Sequence, residues 1–305
     1  MKFEKLGCVF TPDAICSWWH SHAMAPAPVQ INDDEIRIYM GCWSIDGISR
    51  IGYIDVDARD PLKIINIAQK PVLDIGENGC FDENGVFPGH VTKIDNKIML
   101  YYTGFQLGHK IPHYNFGGLA MSQSGKDFSR VSKAPILDRA DEGLYVRAGQ
   151  SVLQQNSMYH SVYSAGSGWV EVGGKSRPIY DIFYQASPKF DEFNRVGKII
   201  VHCNHAEEHG LGRPQLVNIN QRYYVFYTRR MLNMKYFFGY AYSDDLIHWE
   251  RADQTINLQH GGEGEFDSEM VYFPAFIETK YGSYLFYSGN GFGKSGLGVA
   301  RVDNF

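Results

Sequence analysis

The stretch Pro274-Ala-Phe-Ile-Glu-Thr-Lys-Tyr-Gly-Ser-Tyr-Leu-Phe-Tyr287 reads as a strand, a polar turn and a second strand. Sixty residues upstream, Pro214-Gln-Leu-Val-Asn-Ile-Asn-Gln-Arg-Tyr-Tyr-Val-Phe-Tyr227 has the same layout. The spacing continues, at intervals of 66, 60 and 60 residues, through segments beginning at Ala148 (without the proline), Pro88 and Pro28. Self-similarity at a fixed period of this size is the mark of a repeat architecture, in which each unit buries its apolar face against the next.

Each hairpin is followed by a third stretch in which small residues and aromatics alternate, at residues 50–56, 116–122, 180–187, 238–244 and 296–300. Most units then add a turn and a short outer strand, as in Ser243-Asp-Asp-Leu-Ile-His-Trp249. About four antiparallel strands per unit is the pattern of a propeller blade. The expectation is therefore an all-β, five-bladed β-propeller in a single domain. Its blades span approximately 14–70, 71–137, 138–200, 201–258 and 259–305, and the last takes its outer strand from Leu6-Gly-Cys-Val-Phe10.

Composition agrees with a folded β protein. Of 305 residues 44% are apolar and 14% aromatic, including 20 Tyr and 19 Phe, which favour half-buried pleated surfaces. The net charge of −5 and the lack of a basic stripe argue against a nucleic-acid partner. Cys8, Cys16, Cys42, Cys80 and Cys203 are odd in number and scattered, so free thiols in a reducing compartment are expected. Neither a signal-peptide h-region nor a run of about 20 apolar residues is present, and the chain reads as cytoplasmic, with no membrane partner. No CxxC pair, metal-ligand set, phosphate loop or GxSxG elbow occurs, so neither a metal nor a cofactor is called for.

In a propeller the first strand of every blade lines the central channel, so the residues before each repeat proline converge on one mouth. Six positions before it stand His22, Asp82, Glu142, Glu208 and Ser268; five before, Ala23, Glu83, Gly143, His209 and Glu269; one before, Ala27, Phe87, Arg147, Arg213 and Phe273. Glycosidic cleavage commonly uses two carboxyl groups flanking the bond. Asp82 or Glu83 with Glu269 is the preferred pair, and Glu208 the third candidate. Arg147 and Arg213 suit bidentate binding of a carboxylate, sulfate or phosphate. His22, His209, Trp43 and Trp169 complete the candidate binding set, the indole of Trp169 lying in the Gly-rich run Ser164-Ala-Gly-Ser-Gly-Trp169.

The segments Phe81-Asp-Glu-Asn-Gly-Val-Phe-Pro88, Gly212-Arg-Pro214, Ala241-Tyr-Ser-Asp-Asp-Leu-Ile-His-Trp249, Asp267-Ser-Glu-Met270 and Tyr287-Ser-Gly-Asn-Gly-Phe-Gly293 resemble the five-bladed glycosidase-like superfamily. That superfamily includes glycoside hydrolase families 32, 43, 62, 68 and 130. The resemblance covers roughly residues 18–303 and is closest to bacterial members associated with surface-polysaccharide synthesis. It implies a carbohydrate-active protein acting on a small carbohydrate or sugar-nucleotide. It also exposes a departure. Where families 43 and 32 carry an Asp at the start of blade one, this chain reads Trp18-Trp-His-Ser-His-Ala23. Three readings follow: a glycoside hydrolase-like enzyme using the hub carboxylates, a family-130-like phosphorylase with an Arg and His phosphate pocket, or a non-catalytic or repurposed sugar-binding propeller.

Overall fold

The computed structural model describes residues 1–303. Almost all regular structure is β. Four antiparallel neighbours recur in order: β2 (Ser21–Asn32), β3 (Glu35–Trp43), β4 (Ser49–Asp57) and β5 (Ile64–Ile67) form the first group. The second is β6 (Val86–Ile94), β7 (Lys97–Leu107), β8 (His113–Ser122) and β9 (Ser129–Arg130). The third is β10 (Val146–Gln155), β11 (Met158–Val172), β12 (Lys175–Ser187) and β13 (Lys198–Val201). The fourth is β14 (Glu208–Ile219), β15 (Arg222–Met231), β16 (Tyr236–Ser243) and β17 (Glu250–Arg251). The last joins β18 (Tyr272–Thr279), β19 (Gly282–Ser288) and β20 (Leu297–Asp303) to β1 (Lys2–Phe10), which runs antiparallel to β20 from Lys2↔Asp303 to Phe10↔Leu297.

Parallel bridges Val146↔Asn115 and Tyr180↔Gly210 join the second, third and fourth groups into one curled sheet of 12 strands. The leading strands touch in a closed circuit, β2 to β6, β10, β14, β18 and back to β2. The apolar core lies between neighbouring groups rather than at the centre. Tyr39, Val91, Leu100 and Tyr102 pack between the first and second groups, and Ile38, Ile54, Phe286 and Val299 between the last and the first.

Every leading strand carries a β-bulge at the same place. Two residues face one on the next strand: Ala25-Pro26 opposite Met40, Pro88-Gly89 opposite Tyr102, Gly149-Gln150 opposite Tyr163, Arg213-Pro214 opposite Tyr227, and Phe273-Pro274 opposite Tyr287. A bulge is where a strand tolerates proline, because no ladder hydrogen bond is lost there. This also corrects the alignment read from sequence. The equivalents of Pro214 are Pro26, Gly89, Gln150 and Pro274, so Pro28 and Ala148 are each out of phase by two residues and Pro88 by one. Arg147 is therefore not the counterpart of Arg213; Gly149 is.

The first bulge residue is left-handed at Ala25 (φ 57), Gly149 (φ 67), Arg213 (φ 45) and Phe273 (φ 52). Its N–H, lost to the ladder, is taken by a hydroxyl of the preceding group: Gly149 N–H donates to Thr103 Oγ1, Phe273 to Thr228 Oγ1 and Ala25 to Ser288 Oγ. Left-handed backbone in an Arg and a Phe is strained, and it aims both side chains across the centre. At Gly149 an added Cβ would lie 3.0 Å from Arg213 Cα. Gly149→Ala is thus expected to cost about 1–3 kcal/mol, from strain and the close backbone approach together. A thermal unfolding midpoint equal to the parent's would remove this account.

Candidate functional site

The bulges open on a cavity of about 310 Å³. Each leading strand contributes at its start: Met24, Phe87, Ala148, Arg213 and Phe273. The far ends of the second strands contribute Trp43, Phe105 and Arg230, and the third strands His113, Arg177 and Tyr180. One wall is aromatic. Phe87 stacks on Phe273 at 6.3 Å between centroids, and Phe273 on Tyr272 at 3.6 Å.

The other wall is cationic. Arg213, 4% exposed, donates from Nε to Pro88 O at 3.1 Å, from Nη1 to Phe273 O at 3.5 Å and from Nη2 to Pro26 O. One guanidinium on β14 thus ties three other leading strands through their backbone carbonyls. Burial without an acid partner pulls its pKa down to about 9. Arg230 is also buried; it donates to the hydroxyls of Tyr180 and Tyr236, and its Nε has no partner. Arg177 is half-buried on the same side. Among the described residues none of these three arginines meets a carboxylate, and no Asp or Glu lines the cavity. Burial and the Arg230 and Arg177 charges push the His113 pKa down to about 4, so the imidazole is neutral. No group of three or more His, Cys, Asp or Glu stands together to hold a metal, again among the described residues.

The carboxylates singled out in the sequence lie around this cavity without lining it. Asp82 is fully buried, accepting from Tyr102 Oη at 3.0 Å and Arg130 Nε at 2.8 Å. Glu208, 1% exposed, is held by Arg229 Nε at 2.6 Å, Arg251 Nη2 at 2.8 Å and the Asn204 N–H at 2.8 Å. Glu83 accepts from the Gly79 N–H and Gln106 Nε2, which hold its pKa below the usual carboxylate range. Of these four, only the Glu269 carboxylate is exposed and without a partner among the described residues; its backbone N–H donates to Asn290 Oδ1.

Asp82 has counterparts round the ring. In four of the five groups the tyrosine opposite the bulge donates to a carboxylate that also meets a cation: Tyr102 to Asp82 with Arg130, Tyr163 to Glu142 with Arg147, Tyr227 to Asp253 with Arg251, and Tyr287 to Asp267 with Lys5. A motif present in four groups serves the architecture common to them. Arg147 belongs to it, reaching Glu142, Asp138 O and Asn194 O instead of the cavity.

Of the remaining predicted residues, Arg213 and Trp43 line the cavity. His22, left-handed at φ 64, stacks behind Trp43 at 4.0 Å, and burial takes its pKa to about 4. His209 lies against Pro178 O at 3.4 Å, and burial lowers its pKa to about 4 as well. Trp169 packs edge-on against His113 at 5.5 Å rather than lining the cavity itself. Sequence reasoning missed Arg230, Arg177 and His113. The first had a signal: two residues past the repeated small or hydroxyl position Gly41, Thr103 and Thr228 stand Trp43, Phe105 and Arg230, all three on the cavity.

No family model matches the chain. An uncharacterised protein of Mycobacterium tuberculosis is 28% identical over 304 residues, 100% of both chains. A glycosyl hydrolase from Bacteroides ovatus superposes with TM-score 0.72 at 15% identity, covering 99% of this chain and 93% of that one. A family-130 structure, from work on mannoside phosphorylases and on hydrolases of β-1,2-mannosidic linkages in Candida mannan, gives 0.72 at 14% identity, with 99% and 93% covered. A thermostable family-43 glycoside hydrolase gives 0.69 at 14%, with 93% and 91% covered. The chain has a glycoside-hydrolase fold. The match spans nearly the whole of these structures. At these identities the likeness concerns architecture alone.

Proposed function

We propose that the chain is a five-bladed propeller that binds a carbohydrate in the hub cavity and does not cleave glycosides by the two-carboxylate route. The cavity carries this reading: it combines an aromatic wall, as sugar faces need, with a lining that among the described residues holds no Asp or Glu. Two-carboxylate cleavage needs a pair about 5 Å or about 6.5–9.5 Å apart across the bond. Asp82 and Glu208 are instead each committed to buried ion pairs. The departure at Trp18–Ala23 supports the same conclusion, and a repurposed role in surface-polysaccharide metabolism suits a relative of this kind.

Titration with monosaccharides, followed by calorimetry, tests it. Trp43→Ala is expected to weaken sugar binding about tenfold through lost stacking. Hydrolysis of a nitrophenyl glycoside that disappears in both Asp82→Asn and Glu208→Gln, with stability retained, would overturn the reading. The exposed Glu269 favours one alternative, single-acid phosphorolysis of the family-130 kind. Phosphate-dependent cleavage lost in Glu269→Gln would select it.

A further inference from the structure

The cationic side of the cavity is more specific than a neutral sugar requires. Three guanidiniums approach it from separate strands, Arg177 on β12, Arg213 on β14 and Arg230 on β15. Arg213 spends three of its five N–H groups on backbone carbonyls and keeps the others; Arg230 keeps its Nε–H. Buried cations are normally paired, because leaving water is costly. Among the described residues no carboxylate does the pairing, and Arg213 and Phe273 both carry left-handed backbone at the cavity. Such a site is built for an anion brought by the ligand. At about 310 Å³ it lies at the small end of the roughly 300–1,000 Å³ range of ligand cavities, the size of one sugar unit and a charged group rather than a length of polysaccharide.

We propose that the ligand is a single sugar unit bearing an oxyanion, phosphate or carboxylate, with the anion on Arg213, Arg230 and Arg177 and the sugar face on the wall of Trp43, Phe87 and Phe273. This rests on the hub cavity being the carbohydrate site. Arginine suits both anions through paired N–H donors, and in a desolvated cavity each such contact is stronger than at a surface. The polar and apolar walls of one enclosed space then select charge and ring together, which explains why the guanidiniums and the aromatics share it.

The test is calorimetric titration of the whole chain with three sets of probes. These are neutral hexoses (glucose, galactose, mannose, N-acetylglucosamine), their 1-phosphates or uronic acids, and inorganic phosphate alone. The charged sugars are expected to bind at least tenfold more tightly than the neutral ones, with affinity falling as salt rises. Arg177→Ala, at a half-buried side chain with no hydrogen-bond or ion-pair partner among the described residues, is expected to weaken the charged sugars more than the neutral ones. Preference for 1-phosphates over uronates, or the reverse, assigns the anion. Equal affinity for neutral and charged sugars overturns the inference and leaves the carbohydrate reading standing. Inorganic phosphate binding as tightly as the charged sugars overturns it too, since the anion would then be a separate ligand. If no sugar of any set binds, the carbohydrate reading falls with it.

Discussion

Glu208→Gln is expected to lower the free energy of unfolding by about 3 kcal/mol, the lower end of the cost of breaking a buried ion pair. Glu208 is 1% exposed and holds Arg229 and Arg251 together with the Asn204 N–H. The amide keeps the shape and removes the charge. Two guanidiniums would then share Asp253 alone, which stays 2.5 Å from Arg251 and 3.4 Å from Arg229 and softens the loss. A urea midpoint shifted down at constant slope would register the change. The acid limb carries a second signature. Arg251 and Arg229 hold the Glu208 pKa below its ordinary 4.5 despite burial. A depressed folded-state pKa contributes stability that is complete above about pH 4.5 and is lost as pH falls through the folded value. The variant's stability curve should therefore be flatter than the parent's in that acid window. A variant as stable as the parent, but stripped of a sugar-cleaving activity, would return Glu208 to the catalytic set.

How much of this was legible in the sequence varies with the element. The five hairpins are legible because strand, turn and strand recur with a near-constant period, and a last unit short of its outer strand points to the chain's first strand, which pairs with β20. The phase within each unit was not legible. A bulge inserts one residue without changing which residues are apolar, so the proline at 28 mimicked the one at 214 although the structure matches 26 to it. That slip made Arg147 look like Arg213. The carboxylates misled for a different reason. Asp82 and Glu142 recur before their leading strands as structural parts, acceptors for the tyrosine opposite the bulge, whereas Glu208 is held by Arg229 and Arg251 and the tyrosine acceptor of its group is Asp253. What lines the cavity is what breaks the repeat. Arg213 stands where the other groups place Ala25, Pro88, Gly149 and Phe273, and Arg230 where they place Trp43 and Phe105.

Arg213→Lys separates charge from geometry at that position. Lysine carries the same charge on a compact ammonium and cannot bridge carbonyls from three strands at once. It also cannot hold its proton as Arg213 does. Burial already brings the guanidinium down to about 9, and His90 on β6 and Tyr272 on β18, the groups that face it, supply no negative charge at neutral pH. An ammonium in that place is pushed below its ordinary value of about 10.4. The cationic form is the one disfavoured, so charge is absent above the lowered pKa and returns as pH falls through it. Binding of a sugar 1-phosphate by Arg213→Lys is expected to fall at least a hundredfold at pH 8 and to recover partly at pH 6. The parent's affinity changes little between the two, because its guanidinium is mostly protonated at both, and only the phosphate's own second ionisation near pH 6 intervenes. A uronate probe, ionised throughout this range, removes that last term. Arg213→Lys matching the parent at both pH values would show that the anion is held elsewhere, and Arg230 with Arg177 would then carry the contact without it.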